Sequence, residues 1–405
     1  MLIMNNLAEH GLPLEAVDAA TLSESASLEV QRFLAQRPNH VPTLLRSLPA
    51  LAGQAGVVSI EIKDESSRLG MGSFKALGGS YAVIRIALEK ASDALGRQID
   101  VADLDAPKVR AVTAGLTVGC ATDGNHGKSV AAGAGLVGAK AAIFVHAGVS
   151  DERVAAIAGF GAEIIRVEGT YDDSVELAAR HCAEKGWIVV SDTSWPGYER
   201  VPALVMQGYT AMLREAVDAF KAPPTHVFIQ AGVGGLAAAV AGYFEVIFGR
   251  DRPKFIVVEP ERAACVLESV RLGRPVKIEH GEPTIMAMLE CYEPSLVAWR
   301  ILKRTADAFM TVGEEDAAAA MRRLAAPGPG DPAIVAGESG GAGLAGLFEA
   351  LKDPRARAAL DLGPRSRIFL INTEGATDKA RYRSIVGESA DAVQARADDV
   401  RAAVS

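Results

Sequence analysis

Lys75 stands in the run Gly70-Met71-Gly72-Ser73-Phe74-Lys75-Ala76-Leu77-Gly78-Gly79, shortly after the polar cluster Lys63-Asp64-Glu65-Ser66-Ser67-Arg68. A lone lysine among small and apolar residues does little for solubility. Desolvation lowers the pKa of an amine and frees its lone pair, so this lysine is a candidate nucleophile toward an aldehyde. Downstream, Gly232-Val233-Gly234-Gly235 lies between an apolar run and a helical pattern. Main-chain N–H groups in such a turn, backed by a helix N-terminus, can hold a phosphate. Taken alone, the turn is weak evidence and fits mere tight packing better. It is not GxGxxG, and no Walker Lys-Ser/Thr follows, so dinucleotide and nucleotide readings lose ground. An amine for an aldehyde and a cradle for a phosphate together suggest covalently held pyridoxal phosphate (PLP).

A second turn, Thr122-Asp123-Gly124-Asn125-His126-Gly127, opens another helical pattern. Gly124 and Gly127 permit close backbone approach to a flat ligand. Asn125 can donate to a ring hydroxylate, and the N–H groups of the turn can receive a substrate carboxylate. The same residues suit a plain helix cap by Asp123 or Asn125. Asp192, between a strand and Trp195, and Glu259, after another strand, are each open to two readings: a strand-end acid or a group facing ligand.

An α/β scaffold must deliver these residues. Strands are expected over 57–62, 113–121, 139–145, 162–167 and 187–190, and helices over 74–88, 126–136, 150–159 and 171–184, a βαβ series. A helix over 202–220, strands over 225–230 and 254–258 and a helix over 236–248 follow. A strand over 367–371 delivers Asn372-Thr373-Glu374-Gly375. In open parallel sheets, ligand groups sit at the carboxyl ends of strands. The clusters 122–127, 231–235 and 372–375 occupy that place. Residues 90–200 read as a small α/β domain inserted into a large PLP-binding domain made of 1–89 and 201–405. The clearest loop is 326–332.

Composition narrows the partners. The chain has 405 residues, 49% hydrophobic, with a net charge of -8 and only 5% aromatic residues. Acidity without a basic run disfavours nucleic acid and anionic membrane, and scarce aromatics leave little for base stacking. The first forty residues lack the pattern of a signal or transit peptide, and no eighteen-residue uncharged apolar stretch occurs. The expectation is a cytoplasmic protein with a small-molecule substrate. Its four cysteines form no CxxC and no zinc-spaced cluster, which reads as reduced thiols and no metal site.

Ser73-Phe74-Lys75, the 122–127 turn, the 232–235 turn and Asn372 to Gly375 resemble the four signatures of fold-type II PLP enzymes, the tryptophan synthase beta-like group. Within it, the chain is most similar to the diaminopropionate ammonia-lyases, from about residue 42 to 382. The most specific parts are Asp192-Thr193-Ser194-Trp195-Pro196-Gly197-Tyr198-Glu199 and Met206-Gln207-Gly208-Tyr209. Gly337-Glu338-Ser339-Gly340 and Thr373-Glu374-Gly375-Ala376-Thr377-Asp378 add to the likeness. The resemblance implies two open twisted α/β domains with the cofactor in the cleft between them, and a homodimer. Lys75 would be joined to the cofactor aldehyde and then act as base on Cα. Phe74 and Asn125 would contact the cofactor, Asn125 at its phenolic oxygen. Gly232, Val233, Gly234 and Gly235 would cradle the phosphate. Thr373, rather than Asn372, would lie near the pyridine nitrogen and leave it largely unprotonated, which suits β-elimination better than transamination. Thr122, Asp123, Gly124, His126 and Asp192 would line the substrate site. Asp123 and Asp192 would attract a cationic amino leaving group, and Asp123 would serve as base for the D-isomer. The resemblance also implies that Cys265 and Cys291 correspond to a pair capable of a disulfide.

The implied reaction is α,β-elimination on 2,3-diaminopropionate, L and D, to pyruvate and ammonia. A dehydratase or racemase acting on serine, threonine or hydroxyaspartate is the rival within the group. Two departures bear on this choice. The 326–332 loop reads Ala-Pro-Gly-Pro-Gly-Asp-Pro, and Ser73 stands where relatives carry other small residues. A non-catalytic sensor on the same scaffold is a rival of another class, which the retained Lys75 and glycine turns disfavour.

Overall fold

Runs such as Val227-Phe228-Ile229 and Ile256-Val257-Val258 are apolar without alternation, the pattern of strands covered on both faces in a parallel sheet. The computed structural model describes residues 1–37, 40–122, 124–169 and 171–404. It contains strands β1 (Leu2–Met4), β2 (Leu45–Ser47), β3 (Ser59–Asp64), β4 (Thr117–Ala121), β5 (Lys140–His146) and β6 (Glu163–Val167). The series continues with β7 (Ile188–Val189), β8 (His226–Gln230), β9 (Lys254–Pro260), β10 (Ala308–Val312) and β11 (Arg367–Asn372).

The chain divides into two compact units. One comprises residues 1–23, 42–68 and 212–405, and the other residues 24–41 and 69–211. The expected 90–200 domain falls inside the second unit, which also takes in the helices Glu24–Ala35 and Lys75–Leu95. Lys75–Leu95 joins it because small residues let two helices meet. The Ser80 N–H donates to Ser129 Oγ at 2.9 Å, and a Cβ at Gly133 would stand 2.7 Å from the Ser80 Cα. Gly78 likewise admits Tyr209 and Val205, with no room for a side chain of its own.

The first unit holds a seven-stranded sheet ordered β1-β10-β9-β8-β11-β3-β2. Its five central strands run parallel, and the three-residue strands β1 and β2 close the edges antiparallel. Every residue of β8 and β10 is buried, as strands covered on both faces require. The second unit holds a parallel four-stranded sheet ordered β6-β5-β4-β7. Pro107 starts a helix, Pro107–Thr113, where a strand beginning at 113 is expected. Proline suits the first helical turn, so β4 begins only at Thr117.

The charged residues of the 63–68 cluster, Lys63, Asp64, Glu65 and Arg68, are buried. Arg68 donates to both Glu65 oxygens at 2.7 Å and to Glu215 at 2.7 and 2.9 Å. Lys63 Nζ meets Glu215 at 2.5 Å and donates to the Thr43 carbonyl at 2.6 Å. Two cations and two carboxylates therefore neutralise one another at the carboxyl end of β3. The 326–332 loop contributes Asp331, which accepts from the N–H groups of Ala50 and Leu51 and so caps the helix Pro49–Ala55. Among the described residues no helix is long and apolar enough to cross a membrane.

Candidate active site

In the second unit, β4 and its parallel neighbour β7 both end at one edge of the sheet and deliver the 122–127 turn and Asp192. Thr122 shapes the turn: its hydroxyl accepts from the N–H groups of Gly124 and Gly127, at 3.0 and 3.1 Å. Gly124 has φ +151°, a conformation glycine tolerates and other residues rarely adopt. Asn125, buried, opens the helix Asn125–Val137. Asp123 lies outside the described residues, so the expected second base has no structural account.

Lys75 opens the helix Lys75–Leu95, and its ammonium pairs with the Asp192 carboxylate. The amine therefore does not point into solvent; its side chain is 24% exposed. Burial, the largest single influence, works against the charge on Asp192, but the Lys75 ammonium, His126 and the hydrogen bonds to the carboxylate together hold it well below the usual carboxylate range. His126 Nε2 lies 2.8 Å from the Val190 carbonyl, which requires the ring proton there. Its Nδ1 is 3.9 Å from Asp192. Burial lowers the His126 pKa, more than Asp192 raises it, so the ring is neutral at physiological pH. The chain around Asp192 is clipped in place. Tyr198 donates to the Val189 carbonyl at 2.8 Å, accepts from Ser191 N–H at 3.0 Å, and stacks on Trp195 with centroids 4.1 Å apart. Phe74, just before the lysine, packs against Tyr209 at 4.8 Å. The Ser73 hydroxyl is buried and has no partner among the described residues.

In the first unit, β8 runs into the glycine turn. Gly234 has φ +92°, and a Cβ there would press on Ala298 and Leu302 at 3.2 Å. One at Gly232 would stand 2.9 Å from Cys291 Sγ. Ser295 N–H donates to the Val233 carbonyl at 2.9 Å and pins the loop. The N–H groups of Gly232, Val233, Gly234 and Gly235 make no hydrogen bond to another described residue. Four unengaged donors at the start of the helix Gly235–Phe248 suit an anion.

The neighbouring strand β11 ends at Asn372, and Thr373 follows it. Both amide protons of Asn372 are engaged, with Asp64 and the Val335 carbonyl, each at 2.9 Å. Thr373 is buried, and its hydroxyl accepts from Gln230 Nε2 at 3.1 Å. Glu259 caps the helix Cys265–Leu272, accepting from the N–H groups of Val266 and Leu267 at 2.8 and 2.7 Å. Burial pushes its carboxyl up to about 8. Its partners are thus its own helix end. All four cysteines are reduced thiols, Cys265 and Cys291 included, and Cys265 Sγ lies 3.7 Å from the Gly232 carbonyl. Among the described residues no group of three or more His, Cys, Asp or Glu side chains could hold a metal ion.

The structure thus brings Lys75, His126 and Asp192 together in one unit, with Thr122, Gly124 and Asn125 on the same sheet edge. It brings the 232–235 turn and Thr373 to one sheet edge in the other. Gln230 escapes sequence reasoning. The available signal is that it is the single polar residue closing an apolar strand. These residues fit PLP: an amine for the aldehyde, free N–H donors for the phosphate, and a buried hydroxyl whose proton has no acceptor among the described residues.

Comparison with known proteins gives a concordant picture. The family model described as pyridoxal-phosphate dependent enzyme matches residues 36–374. The chain is similar to the diaminopropionate ammonia-lyase of Escherichia coli (strain K12), 37% identical over 378 residues, 92% of this chain and 94% of that one. It is similar to the crystal structure of the Escherichia coli lyase in complex with an aminoacrylate-PLP azomethine reaction intermediate, with TM-score 0.85 and 35% identity over 95% of this chain and 96% of that one. The same lyase in complex with D-serine matches with TM-score 0.84 and 34% identity over 95% and 96%.

Proposed function

Because the chain belongs to the fold-type II PLP-dependent enzymes, and within them to the diaminopropionate ammonia-lyase family, we propose that it eliminates ammonia from 2,3-diaminopropionate to give pyruvate and a second ammonia. The observation that carries this reading is the pairing of Lys75 with Asp192 beside a neutral His126. A carboxylate that already holds one ammonium is matched to the cationic β-amino group of this substrate. Serine and threonine offer only a neutral hydroxyl there.

When bound, PLP supplies an aldehyde that captures amines and a ring that delocalises the charge left as Cα loses its proton. In this reading the N–H groups of 232–235 hold the phosphate, Asn125 donates toward the phenolic oxygen, Phe74 packs beside the cofactor, and Thr373 faces the ring nitrogen. Lys75 Nζ would hold the cofactor at its aldehyde and, as a free amine, would take the proton from Cα of the L-isomer. Asp192 holds the β-ammonium, which leaves as ammonia with the electron pair of the broken C–N bond. Thr122 and Gly124 form the turn that receives the substrate carboxylate, His126 backs Asp192, and Asp123 takes the α-proton of the D-isomer from the opposite face. Water completes the conversion of the released enamine to pyruvate and ammonia. The reading includes a cytoplasmic homodimer, supported by the family resemblance, with no nucleic-acid partner, supported by the acidic composition.

Pyruvate and ammonia release from L- and D-diaminopropionate, serine, threonine and hydroxyaspartate is the deciding measurement. Diaminopropionate is expected to give the highest kcat/KM. A higher value for any β-hydroxy amino acid would transfer the assignment to a dehydratase.

A further inference from the structure

We infer that Gln230 is a positioning residue that sets the direction of the Thr373 hydroxyl and thereby keeps the pyridine nitrogen of the cofactor unprotonated. The inference rests on the reading that Thr373 faces that nitrogen. Gln230 closes β8, is 1% exposed, and projects into a pocket of main-chain oxygens. Its Nε2 lies 3.1 Å from the Ser339 carbonyl, 2.9 Å from Gly340 and 3.1 Å from Ile371, as well as 3.1 Å from Thr373 Oγ1. Three carbonyls cannot donate, so the atom facing them must be the amide nitrogen, and the side chain has one permitted orientation.

That orientation has a consequence for Thr373. An amide nitrogen has no lone pair to offer, so the Thr373 hydroxyl cannot donate to Gln230 Nε2 and instead accepts a share of the two amide protons that also serve the carbonyls. No other described residue accepts its proton. The hydroxyl is therefore turned to donate outward. A ring nitrogen met by a donor must present its lone pair, which excludes a proton from the same position. Asn372, the adjacent polar residue, has both its amide protons engaged elsewhere. Without Gln230 the hydroxyl could turn over, donate to a freed carbonyl such as that of Ile371, and accept from a protonated ring nitrogen. The amide thus holds the ring in its weaker electron-withdrawing form.

The test is nitrogen NMR of holoenzyme reconstituted with PLP labelled at the pyridine nitrogen. The wild-type resonance is expected at the unprotonated, hydrogen-bonded position. Gln230→Met should shift it toward the pyridinium position and raise the loss of bound cofactor as pyridoxamine phosphate during turnover. Gln230→Asn, which keeps the amide but is shorter by one methylene, should shift it the same way if Gln230→Met does not fold. Thr373→Val serves as the reference. If it leaves the resonance unmoved, Thr373 does not face the ring nitrogen and the underlying reading fails. If it moves the resonance while both Gln230 variants do not, the reading stands and the role of Gln230 is overturned. A protonated resonance in the wild type overturns it without any variant.

Discussion

Asp192→Asn keeps the shape of the side chain and removes its charge. The carboxylate now meets the Lys75 ammonium, and in the proposed reaction it meets the β-ammonium of the substrate. Two unit charges about 4 Å apart attract by about 4 kcal/mol at an effective dielectric of 20. Asp192 retains 16% side-chain exposure, and an amide oxygen still accepts a hydrogen bond, so roughly half of that figure is a fair expectation. About 2 kcal/mol corresponds to about a 30-fold fall in kcat/KM for diaminopropionate. A substrate whose β-group is a neutral hydroxyl forgoes only part of a hydrogen bond, within roughly 1 kcal/mol or about fivefold. Any effect through Lys75 is common to both substrates, so the ratio is the informative quantity. Initial rates of pyruvate release from L-diaminopropionate and L-serine, coupled to lactate dehydrogenase, measure it. Equal reductions for the two substrates, or a spared rate with diaminopropionate, would refute the assignment of Asp192 to the cationic leaving group.

Asp123→Asn should impair the D-isomer more than the L-isomer, and equal losses would remove the two-base idea. Gly234→Ala places a Cβ on backbone at φ +92° and against two side chains at 3.2 Å. With about 1–2 kcal/mol of conformational cost, cofactor affinity measured by equilibrium dialysis should weaken roughly 5–30-fold; unchanged affinity would contradict the cradle. Arg68→Met leaves Glu65 and Glu215 buried with Lys63 as their remaining cation. A cost of about 3–5 kcal/mol is expected, read as an earlier midpoint in urea unfolding of the first unit. His226 bonds the Leu360 carbonyl and Thr225, and burial lowers its pKa. Its folded pKa lies below the unfolded value, so below pH about 6.5 the unfolded chain binds the proton first, and stability falls as pH drops toward the depressed value. His226→Gln should flatten that slope in unfolding measured between pH 7 and 5, roughly.

Lys75, the 232–235 turn and Thr373 are legible because each lies in a short local pattern at the end of a strand or the start of a helix. Such positions carry both the backbone signal and the chemistry. The rest depends on contacts remote in sequence. Gln230 looks like the polar end of an apolar run until β11, more than a hundred residues later, supplies its acceptors. The 63–68 cluster looks solvated until Glu215 arrives to neutralise it. Thr122 is expected at the substrate, yet its hydroxyl oxygen serves the N–H groups of its own turn. The three-residue strands β1 and β2 are too short to show a period, and only their partners identify them. The placement of Lys75–Leu95 follows from glycine contacts between helices, which periodicity does not register.

The position of β11 also bears on how the chain is made. It is the last strand among those described, yet it lies between β8 and β3 near the middle of the seven-stranded sheet. A nascent chain stalled before residue 367 therefore holds two incomplete half-sheets, each with an unpaired inner edge. Those edges are templates for pairing with another copy. The four-stranded sheet, complete by residue 189, is under no such delay. Slow translation between residues 212 and 367 would prolong the aggregation-prone interval without harming the second unit, whose residues end at 211.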